Sequence, residues 1–317
     1  MSHAILIIDD TYADYYREEL GRQFPQIAFH ARATKADVGD EIDEVEAIFG
    51  IGTTRIFSEA HLQRAKHLKW IHTFTTGTDG VQSLPSFGKH LVLTSARGIH
   101  GPQVSEMALL MMLSLSRGLP RMIRNQQNAV WERHFQRRIF GKTLVIAGLG
   151  VIGSDLAKRA KAFGMRVIGV TRTPRELPFF DRIVTYADLR TAAAEADFLV
   201  VITPYSAETH KMVDREVLGA MKPTAYLINV SRGGVCDEDA ILEALRENRI
   251  AGAGLDVFAT EPLPAGHPFW HDERVMVTPH LSGGSDFSPD LHMPVVQTNI
   301  RCYLEGRLSD MMNIVPH

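Results

Sequence analysis

The chain has 317 residues, enough for one large or two ordinary domains with ample apolar surface to bury. Its composition, 45% hydrophobic and 22% charged, is that of a globular protein, and a formal charge of −3 offers little to a nucleic acid or another polyanion. Two cysteines, Cys236 and Cys302, are too few for a disulfide framework or a zinc cluster, which predicts a reducing compartment and no bound metal.

The start, MSHAILIIDD, enters a strand-like run without the cationic and apolar regions of a signal peptide. Early strand candidates are AILIID (4–9), VEAIFG (45–50), KWIHTF (69–74) and LVLT (91–94). A long helix is expected after Gly101-Pro102, interrupted once at Pro120. Its most apolar part, EMALLMMLSLS (106–116), is too short to span a bilayer, so the protein is expected in the cytoplasm with no membrane contact. Seven further runs follow: TLVIAGLG, MRVIGVT, RIVTY, DFLVVIT, AYLINVS, IAGAGLDVF and RVMVTPH. They predict a second, larger sheet, with a helical return from about residue 286. Strands alternating with helical patterns predict an α/β fold with parallel sheets built from βαβ units.

GLGVIG places Gly148, Gly150 and Gly153 at G-x-G-x-x-G spacing, directly after an apolar strand and before a helical stretch. In that context the first glycine permits a tight turn, the second lets backbone approach a pyrophosphate, and the third lets helix and strand pack closely. With Val151 and Ile152 opening the helix, its N-terminus offers N–H groups and a positive dipole end to phosphates. The second strand of such a unit usually ends in an acid that binds the adenosine ribose; here Thr171 and Arg172 stand there, with Arg175 beyond. A hydroxyl and guanidinia favour a 2′-phosphate, so NADP(H) is expected over the alternative, NAD(H). The plain structural reading is a solvated arginine at a strand end.

Three later loops, each after a predicted strand, carry reactive side chains: Arg232 in NVSRGGVC, Asp256 and Glu261 in GLDVFATEPLP, and His280 in TPHLSGG. In α/β sheets ligands bind in loops outside the carboxyl ends of strands. The plain structural reading of Arg232, Glu261 and His280 is a surface arginine, a loop acid and a hydrogen-bonded histidine, and the joint pattern of the three weighs against it.

Taken together, in this order and spacing from about Lys69 to Ser285, these motifs resemble those of the D-isomer-specific 2-hydroxyacid dehydrogenases. The resemblance implies a Rossmann-type doubly wound parallel sheet (99–285) inserted into a smaller flavodoxin-like α/β substrate domain (1–98 and 286–317). It also implies an arginine–glutamate–histidine set at Arg232, Glu261 and His280. Reducing a 2-oxo acid needs a cation for its carboxylate, a proton donor and a hydride donor, and these residue types fit the first two. Glu261 would orient His280 and favour its imidazolium. By the same analogy Thr75, Thr76 and Gly77 would meet the substrate carboxylate, although TTGTD could be a simple turn. Thr203 and Pro204 would lie beside the cofactor ribose, Asp256 at the carboxamide, and Val104 near the nicotinamide.

Trp270 resembles the tryptophan of the glyoxylate and hydroxypyruvate reductase branch, where it would close over a small 2-oxo acid; it could equally be a packing residue. The end at His317 and the glutamate at 261 argue against the serine-biosynthesis and formate branches respectively. The helix over Val104–Leu119 suggests a homodimer, with its apolar face as core or partner contact. A corepressor-like NAD(H)-binding protein on the same fold is the alternative function, and the sequence lacks the disordered tails such a protein would use.

Overall fold

The computed structural model describes residues 3–52, 56–286 and 288–316. The chain divides into two compact units, Met1–His100 with Ser285–His317, and Gly101–Gly284. The first contains, among the described residues, five strands: β1 (His3–Ile8), β2 (Ile27–Arg32), β3 (Ala47–Gly50), β4 (Trp70–Thr73) and β5 (Val92–Ser95). All pair in parallel in the order β2-β1-β3-β4-β5, a flavodoxin-type arrangement. Ile5 and Ile7 point into one apolar cluster with Tyr16, Trp70 and Ile300, while Leu6 and Ile8 point into another with Ile48 and Leu93. Both faces are therefore covered, and the inner strands read as unbroken apolar runs. β2 was not expected from the sequence. It lies at the sheet edge with only Ile27 buried, so IAFHAR carries no apolar run that would mark it.

The second unit holds the seven anticipated runs: β6 (Thr143–Ala147), β7 (Arg166–Thr171), β8 (Arg182–Thr185), β9 (Phe198–Val201), β10 (Tyr226–Asn229), β11 (Gly252–Leu255) and β12 (Val275–Val277). Their order is β12-β11-β10-β9-β6-β7-β8, parallel throughout. This is the doubly wound order, and it reverses direction between β6 and β9. The helix Gly101–Arg117 packs Val104, Ala108, Met111 and Met112 into this unit's own core with Leu144, Ile146 and Leu149. Leu110 of the same helix stays 51% exposed. The expected interruption falls at Gly118, with φ = 70°, rather than at Pro120. Pro120 sits in the first turn of the next helix, Leu119–Gln127, where a missing N–H costs nothing. Among the described residues no helix is long and apolar enough to cross a membrane.

Candidate active site

The glycine turn leaves β6 and enters the helix Val151–Ala162. Gly148 has φ = 107°, and a Cβ there would meet the Ile202 carbonyl at 2.8 Å. A Cβ on Gly153 would lie 2.1 Å from the Gly148 oxygen, so helix and turn touch backbone to backbone. At Gly150, by contrast, nothing lies within 4 Å of the Cβ direction, and no side chain caps the helix N-terminus. The first-turn N–H groups thus face an approach that a phosphate can use. A recess of about 580 Å³ is lined by Leu149, Gly150, Val151, Lys158, Arg175 and Phe179. Across the reversal point, Thr203 is fully buried, and its Oγ1 has no hydrogen-bond partner among the described residues. A turn shaped for backbone approach and an orphaned buried hydroxyl fit a dinucleotide.

Thr171 closes β7 opposite Thr185, and Arg172 projects beyond it, 74% exposed, with a nitrogen 3.2 Å from Glu208 Oε2. Arg175 donates to the Leu149 carbonyl at 3.4 Å. Pro204 accepts through its carbonyl from Thr209 Oγ1 at 2.7 Å. Val104 is buried in the core, Ile152 is partly buried against it, and Val151 is exposed.

Arg232, Glu261 and His280 leave the carboxyl ends of β10, β11 and β12, three neighbouring strands. Asn229 shapes the first loop: its Oδ1 accepts from the Ser231 N–H and hydroxyl, and its Nδ2 donates to the Arg232 carbonyl. Gly233 lies against the Phe258–Ala259 backbone, where a Cβ would meet Phe258 C at 1.9 Å, so the loops of Arg232 and Glu261 are pressed together. Glu238 accepts from the Ala259 N–H at 2.7 Å and anchors the second loop. Asn229 and Glu238 were not singled out from the sequence. Their signal is only a polar residue at a strand end or a helix start, which is common in loops.

Glu261 Oε2 lies 2.7 Å from His280 Nδ1, and its Oε1 accepts from the Phe258 N–H at 2.9 Å. Burial alone would raise the Glu261 carboxyl. The His280 and Phe258 hydrogen bonds, with the charges of His280 and Arg232, outweigh it and hold the group below its ordinary value. Nδ1–H therefore donates to a carboxylate, which leaves Nε2 as the nitrogen that can exchange a proton.

His280 has φ = 55°, a left-handed conformation that costs a non-glycine residue about 1–2 kcal/mol. Its N–H donates to the Asp256 and Thr278 carbonyls. The wholly buried Asp256 carboxylate takes four donors from the same loop: Thr278 Oγ1, the Leu281 N–H, and the Ser282 N–H and hydroxyl. All four lone-pair positions of that carboxylate are occupied inside the protein. Trp270 is 46% exposed, and its indole N–H donates to the Pro264 carbonyl at 3.0 Å.

Thr75, Thr76 and Gly77 belong to the first unit, in the loop after β4. Thr75 Oγ1 donates to the Gly77 carbonyl and accepts from the Gly52 N–H, so this side chain builds the loop. Thr76 Oγ1 lies 3.1 Å from Nδ1 of the buried His100.

The model of the NAD binding domain of D-isomer specific 2-hydroxyacid dehydrogenases matches residues 109–282. The chain belongs to the D-isomer specific 2-hydroxyacid dehydrogenase family. It is 30% identical to a glyoxylate reductase of Thermococcus litoralis over 85% of this chain and 83% of that one. A D-3-phosphoglycerate dehydrogenase of Methanocaldococcus jannaschii is 29% identical over 99% of this chain, which spans 60% of that relative's length. The fold is shared with a family member from Xanthobacter autotrophicus Py2 solved with NADPH and MES: TM-score 0.83, 27% identity, 100% of this chain and 98% of that one. The matched family model is that of an NAD binding domain, and the glycine turn of this unit lies within it.

Proposed function

We propose that the protein reduces a small 2-oxo acid, such as glyoxylate or hydroxypyruvate, to the D-2-hydroxy acid with NADP(H). The observation that carries this reading is the His280–Glu261 pair at 2.7 Å beside the Arg232 loop, in the unit that also holds the glycine turn. Gly148–Gly153, Thr203 and the arginines at 172 and 175 would hold the cofactor, whose nicotinamide supplies the hydride when bound. His280 Nε2 gives a proton to the carbonyl oxygen as it becomes an alkoxide, and takes it back in oxidation. Glu261 fixes the ring and offsets the imidazolium charge. Arg232 grips the carboxylate and polarises the carbonyl through its fork of donors. The Thr75–Gly77 loop and Trp270 are proposed substrate contacts. Asp256 is proposed to face the carboxamide through its loop's backbone, since its carboxylate is already taken up.

The name of the glyoxylate reductase relative supports the substrate class, and the NADPH of the Xanthobacter protein supports the cofactor. The test is a substrate panel of glyoxylate, hydroxypyruvate and pyruvate, each with NADPH and NADH. Turnover of none of them would overturn the enzymatic reading in favour of a binding role. Higher kcat/KM with NADH in the wild type would overturn the cofactor assignment.

A homodimer is also proposed. Trp131 and Phe135 are 95% and 106% exposed, Ile123 and Val130 47% and 51%, and Leu110 of the Gly101–Arg117 helix 51%, apolar side chains that a second copy would cover. Trp131→Glu with Phe135→Glu should give a monomeric mass by light scattering where the wild type gives a dimer. A monomeric wild type would end the idea.

A further inference from the structure

Glu208 is a carboxylate that no step above uses, yet it stands at the cofactor end of the sheet. It lies on the loop after β9, and Arg172 on the loop after β7, with β6 between those two strands. The Arg172–Glu208 contact of 3.2 Å therefore spans the end of the strand that carries the glycine turn. Glu208 is held there by its neighbour Thr209, which is 3% exposed. Thr209 Oγ1 donates to the Pro204 carbonyl at 2.7 Å and accepts from the Ser206 N–H at 2.8 Å, so the turn is pinned from within.

Resting on the proposal that Arg172 reads the 2′-phosphate, we infer that Glu208 is a specificity-determining residue that competes with that phosphate for Arg172. A 2′-phosphate carries no donor for a carboxylate and repels it, so the phosphate of NADPH and Glu208 compete for the Arg172 guanidinium. A 2′-hydroxyl is a donor and leaves the Arg172–Glu208 pair standing. The pair thus taxes NADPH and spares NADH, and it narrows the preference that the missing ribose-binding acid would otherwise create.

Dissociation constants for NADPH and NADH, measured by nicotinamide fluorescence at low ionic strength, test this in four proteins: wild type, Glu208→Gln, Arg172→Ala and the double variant. Glu208→Gln should tighten NADPH about three- to tenfold, the scale of an exposed ion pair plus the carboxylate–phosphate repulsion, and change NADH less than about twofold. The gain should shrink in the Arg172→Ala background, because the competition is for that side chain. An unchanged NADPH affinity in Arg172→Ala would remove the phosphate-reading proposal and this inference with it. Loss of NADPH binding in Arg172→Ala, with no tightening or an equal shift for both cofactors in Glu208→Gln, would overturn the role of Glu208 alone. An equal gain with and without Arg172 would show direct repulsion instead of competition and would overturn it as well.

Discussion

His280 is held on three sides: Glu261 at Nδ1, the Asp256 and Thr278 carbonyls at its N–H, and a left-handed backbone that the Asp256 hydrogen bonds keep in place. Strain of this kind persists where surrounding structure over-determines it, and here it aims one ring nitrogen. His280→Ala should lower kcat about 10²- to 10⁴-fold, the usual range for a general acid–base, with a smaller effect on cofactor affinity. A loss below tenfold in steady-state assays would exclude that role. Glu261 stays ionised through neutral pH because its carboxyl is held below the ordinary value. In Glu261→Gln the ring loses the carboxylate that fixes its orientation, so kcat should fall by at least about tenfold with cofactor affinity little changed, and a kcat equal to that of the wild type would uncouple the two residues.

At the scale of the element, the turn between β6 and its helix separates two kinds of glycine. Gly150 has open space where a Cβ would go, and its backbone is extended at φ = −79°, ψ = −161°. Gly150→Val should fold with an unchanged melting temperature but raise the cofactor KM by at least about tenfold, because the side chain fills the phosphate approach. Gly153 has the Gly148 oxygen 2.1 Å from its Cβ position, so Gly153→Val should lower the urea midpoint instead. If Gly150→Val binds cofactor as the wild type does, the phosphate site lies elsewhere. The loops after β10 and β11 obey the same logic, since Gly233 exists to let them touch.

At the scale of the whole molecule, the first unit buries ionisable rings that carry a pH signature. His72 is fully buried among Phe49, Trp70 and Phe74, with Nδ1 2.8 Å from Thr94 Oγ1 and no partner for Nε2 among the described residues. Burial, with the nearby His292, pushes it down to about 3; burial and His100 push His292 down to about 4. Between these values and about 6.5 the unfolded chain binds protons that the folded chain refuses. Stability should thus be fully present above about pH 6.5 and fall as pH drops toward 4, by about 1.4 kcal/mol per pH unit for each such ring. Urea midpoints at pH 7 and pH 5 check this, with His72→Leu expected to reduce the difference, since His292 remains. Equal midpoints in the wild type would refute it.

Twelve strands form the two sheets among the described residues, and eleven were legible: the inner ones because parallel strands buried on both faces are apolar throughout, and the edge strand β8, with no buried residue, only through its β-branched run RIVT. β2 is an edge strand too, and IAFHAR, with one buried residue, has neither signal. The glycine spacing and the order of the Arg232, Glu261 and His280 loops were also readable, since each chemistry tolerates few residue types at those turns. What the linear pattern could not carry was the distribution of partners. Whether the Asp256 carboxylate faces a ligand or the His280 loop depends on residues 22 to 26 positions away. Whether Arg172 stands alone or meets Glu208 depends on sheet order, which sets loops from β7 and β9 on either side of β6. Which residues of the apolar helix Gly101–Arg117 enter the core depends on the packing of Leu144 and Leu149, which buries Val104, Ala108, Met111 and Met112 and leaves Leu110 51% exposed. Residue types and local spacing determine which chemistry is available; the burial and pairing that tune it come from contacts between segments remote in sequence, which only the tertiary fold fixes.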